Sequence, residues 1–433
     1  MILSQAYIKN FKCFSELSIE HFHPQMNILL GNNGTGKSSI LEALRVLLGS
    51  LYLNFDKYDN RITSYGITNE EVRLSWAGTG LEPQIPCILK AEATVSSQTS
   101  DADNTEIQQT ISWQRSVEKR GGKTLHKEAK EMKEYSQQLQ TAVREGTSRQ
   151  LPLIAYFSTN RYKKERRDTD IHPTGSRLQG YFNALDTNTS IKFFLDLFKT
   201  ETYDELQKGR PSVLLQVVNE TIRTCNPNFN DLIYYLKEDE LIVTYQIEEG
   251  SDNVNDQMLP FSLLSDGIRS TLALVMELAF RCYLLNPHLG VTAPQTTPGV
   301  VLIDEVDLHL HPSWQTHILN DLRRAFPHIQ FIVTTHAPLV ISQIGDCSIF
   351  SLSEQQIYDF PSQNGRDANY ILQEMEVTPM ATTTQNMLNT YIALIDNGQG
   401  LSEEALNTRQ SLEKVLGKNH AELQRADMLL SFF

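Results

Sequence analysis

The chain has 433 residues, 40% hydrophobic and 21% charged, the balance of a soluble globular protein too long for one ordinary core. Its longest apolar region, 271–285, is broken by Glu277 and Arg281, so no membrane span is expected, and its first residues lack the pattern of a secretory signal. A net charge of −14 leaves nucleic acid only a local basic patch, and five scattered cysteines without a C-x-x-C predict a reducing cytoplasm and no structural zinc.

In chain order, residues 2–8 and 17–20 have the pattern of strands on either side of Asn10-Phe-Lys-Cys-Phe14. Met26-Asn-Ile-Leu-Leu30 is a short buried strand that runs into Gly31-Asn-Asn-Gly-Thr-Gly-Lys-Ser38, a complete G-x-x-x-x-G-K-[ST] loop. Residues 39–48 follow with helical spacing of their apolar side chains. In that setting the glycines let the backbone curl so that its N–H groups face phosphate oxygens, and the helix start adds partial positive charge. Asn32, Asn33, Gly34, Thr35, Gly36, Lys37, Ser38 and Ser39 are therefore the candidate nucleotide contacts. Lys37 can reach the β- and γ-phosphates, and the Ser38 hydroxyl can hold Mg²⁺. The ligand predicted is a nucleoside triphosphate.

Further on, residues 50–117 carry strand-like pieces such as 71–76 and 87–94, and 97–104 is a polar loop. An amphipathic helix is predicted over 126–144, a strand over 152–157, helices over 176–222, and strands at 232–236 and 241–246. A long helix follows at 266–285, then a Pro/Gly/Thr-rich loop at 286–298 and two strongly apolar strands at 300–303 and 330–334. From about 353 onward the pattern is helical. There is no internal repeat and no sustained heptad.

Val300-Val-Leu-Ile-Asp-Glu305 delivers two carboxylates at the end of a buried strand. Beside a phosphate loop, Asp304 would hold the metal through water, and Glu305 would orient and deprotonate the attacking water. Leu264-Ser-Asp-Gly267 precedes the long helix, so Ser265 and the Gly267 N–H stand at a helix start suited to an anion; taken alone, Ser-Asp-Gly is equally an ordinary cap. The 330–334 strand leads into Thr335 and His336, a histidine that in isolation would be structural. His309, His311 and His317 do not suggest a metal site, because alternate residues on an extended turn face opposite ways. The densest basic run, Arg161, Lys163, Lys164, Arg166 and Arg167, has the composition of a solvated loop, with DNA or a partner protein as the other reading.

Taken together, Asn10-Phe-Lys-Cys-Phe14, GNNGTGKSS at 31–39, LSDGIRS at 264–270, LIDEVDLHLHPSWQ at 302–315 and FIVTTHAPLV at 331–340 resemble the RecF/SMC/Rad50-like branch of ABC-type ATPases. Within that branch they are most similar to the stand-alone bacterial ATPases of the Septu antiphage system and its retron-associated relatives. The resemblance covers 1–50 and 260–345, and LPLIAYFSTNR at 151–161 is similar to a Tyr-x-x-x-x-Arg element of these proteins. It implies an α/β fold, an ABC-type P-loop ATPase head with an inserted helical arm and a helical C-terminal tail. The implied divisions are 1–175 with the phosphate loop and a β-rich insertion, 176–290 with the arm and signature motif, 291–350 as the return of the core, and 351–433 as the tail.

The same resemblance makes His336 a sensor of the γ-phosphate and Lys12 a nucleotide contact. It puts the Thr159–Arg161 turn in the place of the Q-loop, although no glutamine stands there, and Asp266 replaces the first glycine of the usual L-S-G-G. It implies ATP and Mg²⁺ as cofactors and a homodimer or higher homo-oligomer with ATP sandwiched between heads. It further implies a slow, regulatory, cytoplasmic ATPase acting on an HNH-type nuclease partner in antiphage defence. From 340 to 433 there is neither a D-x-D pair nor a His-Asn-His pattern, so no nuclease activity of its own is expected. A RecF-like, ATP-dependent DNA clamp is the alternative. A transporter motor fits the opening strand and the Leu-His-Leu-His-Pro turn poorly, and a chromosome-structuring protein would need coiled-coil arms.

Overall fold

Strands Met26–Leu30, Leu153–Phe157, Gly299–Ile303 and Ile329–Thr334 are buried at every position, as unbroken apolar runs are in a parallel sheet covered on both faces. The computed structural model describes residues 1–55, 62–78, 80–98, 106–161, 175–187, 191–248, 254–375, 381–418 and 420–430. In it those four strands are the centre of a six-stranded sheet in the order Gln356–Phe360, Ser348–Ser353, Met26–Leu30, Ile329–Thr334, Gly299–Ile303, Leu153–Phe157. Five of the six run parallel, and the edge strand Gln356–Phe360 is antiparallel to its neighbour. Parallel strands bring their C-terminal ends to one edge of the sheet, where an α/β fold places its ligand site. Here Gly31, Ser158, Asp304 and Thr335 all follow at that edge.

A second sheet is antiparallel, in the order Phe14–Ile19, Ile2–Phe11, Cys87–Gln98, Glu106–Val117. It lies against the helix Lys37–Leu48, where the Trp113 indole donates to the Leu47 carbonyl at 2.9 Å. The last of its strands lies within the strand-like stretch 50–117 but is not singled out by the sequence, because Glu-Ile-Gln-Gln-Thr-Ile is too polar to announce itself. Of the polar loop expected at 97–104, Ser97 and Gln98 complete a strand, and 99–104 lie outside the described residues.

Segment 176–290 carries the strands expected at 232–236 and 241–246 and adds a third, Val254–Pro260, while the α-helices expected over 176–222 begin only at Lys192, a correction at that end. It holds helices Lys192–Lys208 and Val213–Cys225, then a three-stranded antiparallel sheet of Phe229–Tyr235, Glu240–Glu248 and Val254–Pro260, and it belongs to the same compact unit as the main sheet. The helix Asp266–Leu285 is buried over most of its length, Glu277 and Arg281 included. Within it Arg281 donates twice to Glu277, at 2.9 and 2.7 Å, and its third nitrogen donates to the carbonyls of Gly180 and Phe182 at 2.8 and 3.0 Å. Replacing Arg281 with methionine takes the cation and both of its bonds from the buried Glu277 carboxylate, which should cost about 3–5 kcal/mol of stability in urea unfolding. A loss under about 1 kcal/mol would mean that the pair is not desolvated as the geometry indicates.

The chain past 353 is not helical at once, a second correction. The hairpin Ser348–Ser353/Gln356–Phe360 extends the main sheet, so the first compact unit runs from Met1 to Asn364 rather than ending near 350. Strand Ser348–Ser353 is held there by parallel pairing to Met26–Leu30, a long-range contact that local sequence does not encode. The second unit, Gly365–Phe433, contains helices Ala368–Glu374, Thr382–Asp396, Glu403–Leu416 and Ala421–Leu430. Its own core is built on Leu388, Tyr391, Ile395, Leu412 and Leu423, and Arg409 grips Asp427 with two bonds of 3.0 and 2.8 Å. No helix among the described residues is long and apolar enough to cross a membrane.

Candidate active site

The phosphate loop joins the central strand to the helix Lys37–Leu48 through Gly36, which has φ +104°. A Cβ at this position would lie 2.5 Å from Phe14 Cζ and 2.7 Å from Cys13 Sγ, so only glycine fits. The Asn10–Phe14 turn is thus closed directly against the loop. Asn10 and Lys12 adopt φ +52° and +47° to make that turn, which places Lys12 in an ion pair with Glu42 of the loop helix. The Lys12 ammonium lies below its ordinary pKa because of burial, with the Glu71 charge acting the other way. Lys12 therefore stands beside the loop, engaged with Glu42 rather than directed to a free position.

Asn32, Asn33, Gly34 and Ser38 are exposed, and the Thr35 hydroxyl braces the loop by donating to the Asn32 carbonyl at 2.9 Å. Lys37 folds back along the loop, its Nζ donating to the carbonyls of Gly31 at 2.5 Å and Asn32 at 3.0 Å. Burial pulls its pKa below the ordinary value, while Asp304, Glu305 and Asp307 pull it up. An ammonium held by carbonyls and facing three carboxylates is poised to exchange those partners for phosphate oxygens.

Strand Gly299–Ile303 delivers Asp304, which is buried, and the Ser38 hydroxyl donates to its Oδ1 at 3.1 Å across 266 positions of sequence. A hydroxyl and a carboxylate oxygen side by side are hard oxygen donors of the kind Mg²⁺ takes, so these two residues fit that ion. Thr334, from the neighbouring strand, donates to the same Oδ1 at 2.6 Å and accepts the Glu305 N–H at 2.7 Å. Glu305 has φ +47°, a left-handed turn rare for a residue with a side chain. Arg161, only 5% exposed, donates to the carbonyls of Asp304 at 2.6 Å and Glu305 at 2.9 Å. Its burial corrects the reading of Arg161 as part of a solvated basic run; the rest of that run, 163–167, lies outside the described residues.

One strand over, the Thr335 hydroxyl donates to Asp307 at 2.6 Å, and the other Asp307 oxygen lies 3.9 Å from His336 Nε2. The His336 side chain is 52% exposed. Ser265 caps the helix Asp266–Leu285 without a side-chain capping bond and is exposed. Gly267 answers a steric need that its sequence pattern does not reveal. A Cβ there would stand 2.4 Å from the His309 carbonyl oxygen, so the helix start rests on the turn that follows the two carboxylates. The structure thus brings Lys37, Ser38, Asp304 and Glu305 to one edge, with His336 following the adjacent strand. Ser265 and Gly267 stand on a separate element. Sequence reasoning missed Thr334 and the clamp made by Arg161, for which the Thr-Thr-His triplet and the Tyr-x-x-x-x-Arg spacing were the available signals.

A family model described as an AAA domain matches residues 5–237, and a second AAA-domain model, whose description adds a type IV toxin–antitoxin system, matches 226–342. The chain is 27% identical to "Retron Vc95 probable ATPase" of Vibrio cholerae serotype O1 biovar El Tor, over 90% of this chain and 82% of that protein. It is 26% identical to "Retron Ec83 probable ATPase" of Escherichia coli, over 97% of this chain and 85% of that protein. To "Septu protein PtuA" of Bacillus mycoides strain KBAB4 it is 25% identical, over 60% of this chain and 35% of that protein.

Proposed function

The chain belongs to the AAA-domain family of P-loop ATPases, and from that premise we propose that it binds ATP with Mg²⁺ and hydrolyses it where Lys37, Ser38, Asp304 and Glu305 converge. The observation that carries this reading is the 3.1 Å contact between the Ser38 hydroxyl and the Asp304 carboxylate, because it joins the phosphate cradle to the strand that ends in the candidate base.

ATP phosphates would lie over the N–H groups of residues 32–39, with Lys37 turned from the Gly31 and Asn32 carbonyls onto the β- and γ-oxygens. Ser38 and Asp304 would hold Mg²⁺, which when bound neutralises charge on the β- and γ-phosphates. Glu305 would align the attacking water and take its proton. His336 would read the γ-phosphate, with Asp307 steadying its ring at 3.9 Å. Lys12 would reach the nucleotide only by leaving Glu42.

Two protomers would sandwich the nucleotides, each lending Ser265 and the Gly267 N–H to the other's γ-phosphate. Hydrolysis would be slow and would regulate a partner nuclease of HNH type in antiphage defence. The retron and Septu relatives support that setting, as does the lack of a D-x-D pair or a His-Asn-His pattern between 340 and 433.

Replacing Lys37 with alanine removes the cation that meets the phosphates, and ATP affinity should fall beyond measurement in a nucleotide titration. Tight ATP binding by a folded Lys37→Ala protein would move the nucleotide away from this loop.

A further inference from the structure

We propose that Arg161 is a positioning residue for hydrolysis, setting the Glu305 carboxylate by clamping the two carbonyls of the Asp304–Glu305 turn. This rests on the ATPase reading above and adds to it a residue that touches neither nucleotide nor metal. The main-chain ladder between strands Leu153–Phe157 and Gly299–Ile303 ends when the Asp304 N–H donates to the Phe157 carbonyl at 2.8 Å. Beyond that bond the chain departs into the left-handed turn at Glu305, where φ is +47°. The turn is then fixed from both sides. Thr334 takes the Glu305 N–H at 2.7 Å, and Arg161 donates to the Asp304 and Glu305 carbonyls at 2.6 and 2.9 Å.

The two carbonyls are met by different nitrogens, Nη1 and Nη2, of one planar guanidinium, a rigid fork that a single ammonium nitrogen on a flexible stem does not reproduce. The guanidinium is itself held. Its Nη1 also donates to the Ser158 carbonyl at 3.3 Å, and the Ser158 hydroxyl is tied to the Thr187 carbonyl at 2.5 Å. Rotation about the Glu305 backbone would swing its carboxylate away from a water bound at the γ-phosphate. A displacement of even one bond length there is enough to weaken general-base catalysis severely. The nucleotide contacts proposed for Lys37 and the loop N–H groups, and the Mg²⁺ contacts proposed for the side chains of Ser38 and Asp304, are made by atoms that Arg161 does not hold.

The test uses Arg161→Met and Arg161→Lys in the full chain, each also combined with Glu305→Gln. Three quantities are measured: the affinity for a fluorescent ATP analogue, the single-turnover hydrolysis rate and the urea unfolding midpoint. In the wild-type background Arg161→Met should slow hydrolysis roughly 10²-fold with nucleotide affinity nearly unchanged. In the Glu305→Gln background it should cause little further loss, since there is no base left to position. Arg161→Lys keeps the charge but replaces the rigid two-nitrogen fork with one nitrogen on a flexible stem, and it should fall between wild type and methionine; it carries the test if the methionine variant does not fold. The proposal is overturned if folded variants hydrolyse ATP at the wild-type rate. It is also overturned if they lose ATP binding together with hydrolysis, or lose the same factor in both backgrounds. A wild-type protein that binds no ATP would instead remove the ATPase reading itself, and this inference with it.

Discussion

Glu305→Gln is expected to bind ATP as the wild type does and to turn it over roughly 10²–10⁴-fold more slowly, the range that a positioned general base contributes. Glutamine has the shape of glutamate, so the substitution removes basicity and little else. The bonds that hold this residue in place run to its backbone: Thr334 to the N–H and Arg161 to the carbonyl, at 2.7 and 2.9 Å. They survive the change, and the turn should keep its form. The metal-binding pair of Ser38 and Asp304 is likewise untouched. Phosphate release and nucleotide titration on the same preparation separate the two effects. Turnover at the wild-type rate would take Glu305 out of the base role, and loss of ATP binding would make it a ligand contact instead.

The parts of the site carried by local pattern are legible in the sequence. An unbroken apolar run ending in the complete phosphate-loop pattern has few other uses, and a run ending in Asp-Glu, common by itself, takes its meaning from that loop. The helix Asp266–Leu285 is visible in full because the Ser265 cap precedes twenty residues of strong helical character. What was not legible depends on contacts between distant segments. Thr334 serves the two residues that follow the neighbouring strand at once, and nothing in Phe-Ile-Val-Thr says which strand will lie beside it. Arg161 looked like the start of a basic loop because its neighbours in sequence are basic, whereas its neighbours in space are carbonyls. Gly267 was assigned by its N–H, yet its lack of a side chain is what the His309 carbonyl demands. The hairpin at 348–360 was lost for a related reason: one short strand becomes definite only through pairing with Met26–Leu30.

Activity should return when two dead variants, Lys37→Ala and Ser265→Arg, are mixed. Ser265 is exposed at the start of its helix and makes no capping bond there, so its hydroxyl is available to a ligand presented from outside. Helix starts favour anions through their unpaired N–H groups and partial charge, and the γ-phosphate of a second protomer's nucleotide is the anion proposed. ADP lacks that group. ATP would therefore bind the paired heads better than separate ones and act as their dimerising ligand. Lys37→Ala destroys the cradle but leaves a good signature helix. Ser265→Arg keeps the cradle and fills the signature with a bulky cation. In a mixed dimer the cradle of the second meets the signature of the first, and one composite site is whole while the other carries both lesions. With free exchange half the dimers are mixed, so an equal mixture should regain roughly a quarter of wild-type activity if the two sites of the symmetric pair act independently. Exchange is established separately, by mass measurement on differently tagged copies. If exchange occurs and the mixture remains inactive, each protomer does not complete the other's site, and the sandwich model falls.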